Sequence, residues 1–246
     1  MTDPADLLAR RLLEARAGRP AAYEDALAPP DAAAAMAVQA AVARELGEKV
    51  AGWKVGIGGD GTPFAAPLLA GALHASPAAL PVGTHVLIEM EIAVRLARDL
   101  APGEHSRAAI LDAVGEVLVG IEVIRGRLGE PPAIPFLAFL ADNGANLAYV
   151  TGGGTRAFGA LDLTALPCRL AIDGAVEHEK AGGHPQGDPI APIRAYLARS
   201  NDRLGGLRAG HVVTTGSLNK PVRVERAARI EVAIEGLGGA ALQLRG

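Results

Sequence analysis

The sequence predicts an α+β fold, in which a helical N-terminal segment precedes a mixed or antiparallel β-rich core. Alanine-rich amphipathic stretches fill the first part of the chain, and alternating, β-branched stretches dominate after residue 80. These strands do not alternate regularly with helices, so a doubly wound parallel sheet is not expected. We predict two regions: residues 1–80, mostly helical but including a strand around Lys54, and residues 81–246, a β-rich catalytic core.

The N-terminal segment is predicted to contain two helices. Residues 3–17 form an amphipathic pattern whose apolar stripe consists of Leu7, Leu8, Leu12 and Leu13. Asp31 follows two prolines and is expected to cap a second helix that runs to about Leu46 and ends at Gly47.

The rest of the chain is read mainly as strands. The stretch WKVGI is a short strand, and VLIEMEIAVRL at 86–96 is a longer one that alternates strongly. A helix is expected at 106–118, leading into the apolar run LVGIEVI, and a second helix at 193–204. Further strands are predicted at 146–151, at 168–173 and in the tail, where ARIEVAIEG and AALQLR are expected to form a hairpin.

Composition and charge exclude several classes of protein. The 246 residues carry a formal net charge of -3 and only 3% aromatic residues, so neither the basic surface nor the stacking platforms of a nucleic-acid-binding protein are expected. Cys168 is the single cysteine, which rules out an intrachain disulfide and favours a reducing compartment. The N-terminus lacks the apolar region of a signal peptide, and no apolar run reaches the roughly 18 residues of a membrane span. We therefore expect a cytoplasmic protein with no membrane partner.

Two glutamates in the alternating strand are the strongest sign of chemistry. Glu89 and Glu91 are two residues apart, so both side chains point to the same face of the strand, while the opposite face is wholly apolar. Carboxylates held this close repel each other unless a cation or a proton lies between them. A hard divalent ion would relieve the repulsion. A solvated strand face with Arg95 as counter-ion explains the pattern equally well.

Glu122 favours the metal interpretation. It lies in the apolar run LVGIEVI, where a lone ionised carboxylate would be costly and requires a partner. Arg125 or Arg127 would provide a purely structural partner. Alternatively, a cation shared with the first two glutamates would leave coordination positions open for substrate, as is typical of catalytic Mg²⁺.

Lys54 is a further candidate because it lies in the small apolar stretch AGWKVGI. A lysine in such surroundings can have a lowered pKa and act as a general acid or base. A surface lysine whose aliphatic stem lies along Trp53 remains the alternative.

Three other patterns are set aside. Gly56, Gly58 and Gly61 spell G-x-G-x-x-G, but no clear helix follows them and no acidic residue ends a second strand about 20 residues on, as dinucleotide binding requires. A zinc site in EHEKAGGH is a weak possibility, because this glycine-rich stretch is expected to be a mobile loop; its candidate ligands are His178, Glu179 and His184. Cys168 is expected to fill space in the core.

An ordered set of motifs resembles one family. GWKVGI, IEMEIAV, GIEVIRGR, ADN, GHP followed by a helix, AGHVVTTGSL and IEGLG occur in order between residues 50 and 240. Together they resemble the 2-keto-4-pentenoate hydratase and 4-oxalocrotonate decarboxylase group of the fumarylacetoacetase superfamily. The resemblance implies a mixed β-roll or sandwich core, a homo-oligomer, and a Mg²⁺ or Mn²⁺ ion bound by Glu89, Glu91 and Glu122.

The resemblance also implies roles for single residues. Lys54 would be the active-site lysine, and the residues lining the pocket would be Asn143, Thr215 and Ser217. The sequence departs from the family pattern at Pro63, where an acidic residue is usual, at Ala145 in place of a serine, and at His211 in place of an aspartate. These departures leave the metal ligands untouched and bear on the acid and base groups needed for water addition.

The implied reaction is hydration of a small 2-oxo-4-enoic acid of the 2-hydroxypenta-2,4-dienoate type, giving a 4-hydroxy-2-oxo acid. The metal would act as a Lewis acid that stabilises an enolate next to the carbonyl group. A decarboxylase or a C–C hydrolase of related oxo acids would use the same site. A degenerate binder of oxo acids, which retains the metal but has lost catalysis, is the alternative from another class.

Overall fold

The computed structural model describes residues 4–19, 21–130, 133–199 and 203–246. The helices are α1 (Pro4–Arg16), α2 (Ala32–Leu46), α3 (Arg107–Ala113), α4 (Phe136–Ala141) and α5 (Ala191–Leu197). The strands are β1 (Val50–Ile57), β2 (Pro63–Leu69), β3 (Leu73–Ala75), β4 (Ala78–Pro81), β5 (Val86–Leu96), β6 (Val114–Ile124), β7 (Asn146–Thr155), β8 (Pro167–Ile172), β9 (Ala175–Ala181), β10 (Val212–Ser217), β11 (Val222–Val224), β12 (Ala228–Ile234) and β13 (Gly238–Arg245).

The strands form two mixed sheets, which confirms the predicted α+β class. The larger sheet has the order β2-β1-β10-β5-β6-β7-β3, with β11 paired to β5, and the smaller has the order β4-β13-β12-β8-β9. Most neighbours are antiparallel, while β1 with β10, β3 with β7 and β4 with β13 are parallel. Strands β12 and β13 form the predicted hairpin, in register from Ala228↔Leu244 to Ile234↔Gly238.

The main core lies between the two sheets and is built by the alternation of the long strands. Strand β5 buries one complete face in it, as the sequence predicted; these residues are Val86, Ile88, Met90, Ile92, Val94 and Leu96. Strand β6 adds Val117, Val119, Ile121 and Val123, and the smaller sheet adds residues such as Leu170, Ile230 and Leu242. The opposite face of the larger sheet is therefore not part of this core.

A second apolar cluster joins the N-terminal helices to α4. Leu8 and Leu12 of α1, Val38 of α2, and Leu140 of α4 are buried together in it. Gln39 on α2 reinforces the contact, because its buried side-chain amide donates a 2.6 Å hydrogen bond to Leu140 O. Both ends of α2 match the prediction. Asp31 caps its start and accepts from Ala34 N at 2.7 Å, and Gly47 caps its end in the left-handed conformation.

Three predictions about single elements differ from the structure. The helix expected at 106–118 ends at Ala113, and strand β6 begins at Val114, because the β-branched residues that follow alternate into the core. The stretch expected to be a mobile loop around His178 is instead strand β9, which pairs with β8 at an edge of the smaller sheet. The second helix, expected at 193–204, is shorter and spans Ala191–Leu197, while part of its predicted range lies outside the described residues.

Strand β2 was not predicted, because two prolines interrupt its sequence. Pro63 lies opposite Ile57 and Pro67 lies opposite Trp53 in an antiparallel ladder with β1. Proline is tolerated here because β2 is at the edge of the sheet, where one side of the strand has no ladder to complete.

The boundary between residues 1–80 and 81–246 remains a prediction. Strands β1, β2 and β3 of the first region lie in the same sheet as β5 and β6 of the second. In the described parts of the chain, no helix is both long and apolar enough to cross a lipid bilayer.

Candidate metal centre

Strand pairing brings the predicted site residues to one face of the larger sheet. Glu89 on β5 lies directly opposite Glu122 on β6, and Glu91 lies opposite Gly120. Lys54 on β1 lies beside Thr214 on β10, the strand between β1 and β5. All of these positions are on the face that does not pack against the smaller sheet.

The three glutamates form a compact group of carboxylates. One oxygen from each of Glu89, Glu91 and Glu122 lies within 4.8 Å of the others. It is the one group of three or more potential ligands of this kind among the residues that the structure describes. Glu91 and Glu122 are fully buried, at 0% exposure, so water cannot screen their charges.

Among the described residues, Glu122 accepts from a lysine and an asparagine and not from an arginine. Lys54 Nζ lies 2.6 Å from Glu122 Oε2, and the side-chain amide of Asn146 donates to Glu122 Oε1 at 2.9 Å. The structural alternative with Arg127 is therefore wrong, since its guanidinium pairs with Asp142 at 2.9 Å.

Lys54 is an internal ammonium rather than a surface lysine. It is 8% exposed, and its Nζ lies 5.7 Å from the centroid of the Phe139 ring. Burial alone would lower the pKa of Lys54, but the charges of the glutamates raise it above its ordinary value, Glu122 contributing most. The lowered pKa that the sequence suggested is thus wrong for the cation-free site.

Among the described residues, only one carboxylate oxygen of Glu91, Oε2, accepts a hydrogen bond. The hydroxyl of Thr214 donates to Glu91 Oε2, and the hydroxyl of Tyr149 donates to Thr214 Oγ1 at 3.0 Å. The other oxygen, Glu91 Oε1, is buried and has no hydrogen-bond partner. Arg95, the counter-ion considered for the glutamate pair, lies 3.5 Å from Glu116 instead.

These features fit a divalent cation. Burial and the negative charge of Glu122 together raise the pKa of Glu89 to about 7 and that of Glu91 to about 8, although the Lys54 ammonium partly offsets both effects. A buried carboxylate oxygen without a partner, next to two further carboxylates, is the oxygen-rich donor set that Mg²⁺ and Mn²⁺ prefer. The three glutamates can therefore hold such an ion.

A strained loop between α4 and β7 places the amide side chains. Asn143, Gly144 and Ala145 all have positive φ, of 60°, 62° and 55°. Asn143 and Ala145 are not glycines, and such residues rarely adopt this left-handed conformation, which costs on the order of 1 kcal/mol or more for each of them. Hydrogen bonds hold both ends of the loop. Asn143 Nδ2 donates to Pro67 O at 2.6 Å, and Asn146 Nδ2 donates to Glu122 Oε1.

The predicted pocket residues lie near the centre, but their side chains have other partners. Asn143 bonds to Pro67 O, Thr215 Oγ1 donates to Ile92 O at 3.3 Å, and Ser217 Oγ donates to Asn219 O at 2.7 Å. Ser217 lies opposite Glu91 in the register of β10 and β5. A role for these residues in binding substrate remains a prediction.

Sequence reasoning missed three contacts of the carboxylate group: Thr214, Asn146 and Tyr149. Alternation along β10 would have distinguished Thr214 from Thr215, had the pairing of β10 with β1 been known. Tyr149 lies opposite Glu122 on β7, and its ring occupies the space beside Gly120, which has no side chain.

The patterns set aside in the sequence do not form sites. Gly61 leads into strand β2 rather than a helix, which removes the context of a dinucleotide fingerprint. His184 is buried, its Nε2 3.0 Å from Thr215 O, and burial lowers its pKa. It forms no metal-binding group with His178 and Glu179 in the described residues. Cys168 is buried in the main core, as predicted.

Comparisons with known proteins place the chain in a family. Residues 57–245 match the model described as fumarylacetoacetate (FAA) hydrolase C-terminal, so the chain belongs to the fumarylacetoacetate hydrolase family. More particularly, it is 34% identical to a 2-keto-4-pentenoate hydratase of Burkholderia vietnamiensis (strain G4 / LMG 22486), over 94% of both sequences.

Two solved structures share the fold. A 4-oxalocrotonate decarboxylase from Pseudomonas putida G7, complexed with magnesium and adipate, superposes with a TM-score of 0.87 at 22% identity, covering 98% of this chain and 97% of that one. A fumarylpyruvate hydrolase from Pseudomonas aeruginosa, in complex with Mn²⁺ and pyruvate, gives 0.55 at 18% identity, covering 78% and 88%. These matches confirm the predicted fumarylacetoacetase-like architecture.

Proposed function

We propose that this protein is a metal-dependent hydro-lyase that hydrates 2-oxo-4-enoic acids of the 2-hydroxypenta-2,4-dienoate type to 4-hydroxy-2-oxo acids. The observation that carries the proposal is the buried group of Glu89, Glu91 and Glu122 with Lys54 bonded to it. The near full-length similarity to a 2-keto-4-pentenoate hydratase supports this choice among reactions of 2-oxo acids.

The bound cation would supply Lewis-acid polarisation of the 2-oxo group of the substrate. The chain would hold the ion through the three glutamates, with Glu91 oriented by Thr214 and Tyr149 and Glu122 oriented by Asn146. Hydrogen bonds from residues that do not bind the ion themselves fix the orientation of the oxygens that do. Burial of the group keeps bulk water away from the polarised carbonyl.

Lys54 is the group that we propose to hold or move a proton. Its Nζ is a buried ammonium 2.6 Å from Glu122 Oε2, on the same face of the larger sheet as Glu91. In the net reaction, a proton moves from the 2-hydroxyl group of the dienoate to C5, which gives the conjugated 2-oxo-3-enoate. One water then adds its hydroxyl at C4 and its proton at C3, which gives the 4-hydroxy-2-oxo acid. We propose that Asn143, Thr215 and Ser217 contribute to the wall that orients the carbon skeleton.

The test is a panel of substrates with Mg²⁺ or Mn²⁺ present. We expect 2-hydroxypenta-2,4-dienoate to lose its ultraviolet absorbance and give a 4-hydroxy-2-oxo acid, detected by mass spectrometry as a gain of one water. Removal of the cation with a chelator should abolish the change, and its return should restore it. Unchanged turnover after chelation would contradict the role of the metal.

The panel also separates the competing activities. A decarboxylase would release CO₂ from 4-oxalocrotonate and leave the dienoate intact, and a C–C hydrolase would cleave an acylpyruvate into two acids. A non-catalytic binder would show a cation-dependent thermal shift with 2-oxo acids and no reaction with any of them. Each of these outcomes would replace the hydratase proposal.

We also propose that the protein works as a cytoplasmic homo-oligomer. The free, buried thiol of Cys168 supports a reducing compartment. Size-exclusion chromatography with light scattering tests the assembly, and a mass equal to that of one 25.1 kDa chain would contradict it.

A further inference from the structure

A cavity of about 610 Å³ lies at the end of α1, away from the glutamates. Its walls come from the C-terminal turn of α1, the turn after β2 and the segment that follows β6. Its charged lining consists of four arginines and one glutamate: Arg16, Arg19, Arg125, Arg127 and Glu48. The cavity is therefore strongly cationic.

Two of these guanidinium groups have carboxylate partners. Arg127 is paired with Asp142 at 2.9 Å, and this ion pair is almost fully buried, with side-chain exposures of 8% and 0%. Arg19 is paired at 3.2 Å with Glu14 on the outside. These two arginines are locally neutralised.

The other two guanidinium groups form no ion pair in the described parts of the chain. Arg125 donates only to a backbone carbonyl, Val82 O, at 3.2 Å. Arg16 Nε is buried and has no hydrogen-bond partner. Glu48, the carboxylate in the wall, already accepts from Gly71 N at 2.8 Å. The cavity thus presents two guanidinium groups that make no direct ion pair with any described residue.

The pKa values of Arg16 and Arg125 show that the cavity disfavours the charged form of both side chains. Burial and the charge of Arg127 lower the pKa of Arg16 to about 10, although the charges of Asp142 and Glu48 partly offset them. Burial and Arg127 also lower the pKa of Arg125. A cleft lined by one sign of charge raises the local concentration of ions of the opposite sign.

We propose that this cavity binds a small dianion carrying a phosphoryl group or two carboxylates, held by Arg16 and Arg125. A guanidinium group presents its N–H donors as a planar fork, which matches the oxygens of both kinds of anion. Gly71, Gly83 and Gly126 line the cavity, so backbone groups can approach a ligand closely. The volume lies within the usual range for small-molecule sites, about 300–1,000 Å³.

The site is separate from the proposed metal centre, since no cavity residue belongs to the glutamate group or its contacts. A binding experiment can therefore be run without divalent cations, which removes the contribution of a 2-oxo acid site. Failure of the hydratase proposal would leave this inference intact, and failure of this inference would leave the hydratase proposal intact.

The experiment measures binding of phosphate, pyrophosphate and succinate by calorimetry and thermal shift, at constant ionic strength maintained with chloride. We expect saturable binding of at least one of these probes to the wild-type chain. Arg16→Gln and Arg125→Gln should each weaken it by about tenfold or more, because each removes a charge-assisted hydrogen bond. Arg156→Gln, at an exposed position outside the cavity, should leave affinity unchanged.

Comparing the probes identifies the ligand chemistry, since preference for phosphate or pyrophosphate over succinate indicates a phosphoryl group and the reverse indicates a dicarboxylate. Without any probe, Arg16→Gln should unfold at the same temperature as the wild type or higher, because it relieves repulsion. Absence of saturable binding up to about 10 mM of every probe would overturn the proposal. Equal binding to wild type and both cavity variants would also overturn it.

Discussion

The two faces of the larger sheet are built from the same strands but have opposite properties. On β6, Ile121 points into the core between the sheets, whereas its neighbour Glu122 points to the carboxylate group. Both side chains are fully buried, at 0% exposure. Burial stabilises the first, whereas the second is buried beside two further carboxylates, and Lys54 is the one cation that contacts it among the described residues. One strand therefore contributes apolar burial that stabilises the fold on one face, and on the other face a buried negative charge that favours cation binding.

The largest expected effect comes from removing one charge on the polar face. Glu122→Gln should weaken Mg²⁺ binding by about 100-fold or more and lower turnover of the dienoate by roughly 1,000-fold, because the ion loses an anionic ligand. Calorimetry and ultraviolet absorbance measure the two effects. Glu116→Gln is the matched control, since Glu116 lies on the same face of β6 but pairs with Arg95. Equal losses in both variants would contradict the assignment.

The matching change on the apolar face should act on stability alone. Ile121→Ala should lower the free energy of unfolding by about 2–5 kcal/mol, through lost burial and the cavity left behind. Urea denaturation measures this change. The Mg²⁺ affinity of the folded protein should remain that of the wild type, and a large drop in that affinity would show that the two faces are not independent.

The pH dependence of the cation-free protein sharpens the same comparison. The pKa of Glu89 is raised from 4.5 to about 7 and that of Glu91 from 4.5 to about 8, so the folded state binds more protons than the unfolded state between these values. The free energy of unfolding should therefore fall as pH rises from about 4.5 to about 8, by an amount on the order of a few kcal/mol. The raised pKa of Lys54 has no effect in this window, because the lysine is charged in both states.

Thermal melts at a series of pH values check this expectation. Mg²⁺ should stabilise the protein most at the alkaline end, where protons no longer compete for the carboxylates. Glu89→Gln should flatten the cation-free profile. A profile that rises with pH in the absence of divalent ions would contradict the unfavourable charge of the glutamate group.

The smallest expected effect distinguishes two adjacent threonines. Thr214→Val removes the hydroxyl that orients Glu91 and should weaken Mg²⁺ binding by about tenfold. Thr215→Val removes a hydrogen bond to Ile92 O and should cost about 1 kcal/mol of stability, leaving Mg²⁺ affinity unchanged. A change in KM for the dienoate in Thr215→Val alone would support its proposed contact with substrate.

Local rules and the family resemblance together predicted the carboxylate group. Alternation along β5 put Glu89 and Glu91 on one face, and the apolar surroundings of Glu122 required a partner for its charge. Lys54 was noticed for the same reason. The predicted α+β class, the cap at Asp31 and the C-terminal hairpin also depend on short stretches and are confirmed.

The contacts that sequence reasoning missed depend on long-range pairing. Thr214 reaches Glu91 only because β10 is inserted between β1 and β5, although β10 comes late in the chain. Asn146 reaches Glu122 through a loop of three positive φ angles, which local propensity does not favour. Strand β2 was hidden by prolines that an edge position tolerates.

The close approach of the Tyr149 hydroxyl to Gly120 fixes the position from which this hydroxyl donates to Thr214. A Cβ atom at position 120 would occupy the place of the Tyr149 hydroxyl, so the two positions can change only together. A side chain at 120 would therefore displace the hydroxyl that donates to Thr214, and Thr214 in turn holds one oxygen of Glu91. One residue of this pair contributes by having no side chain, and the other by filling the space that this leaves.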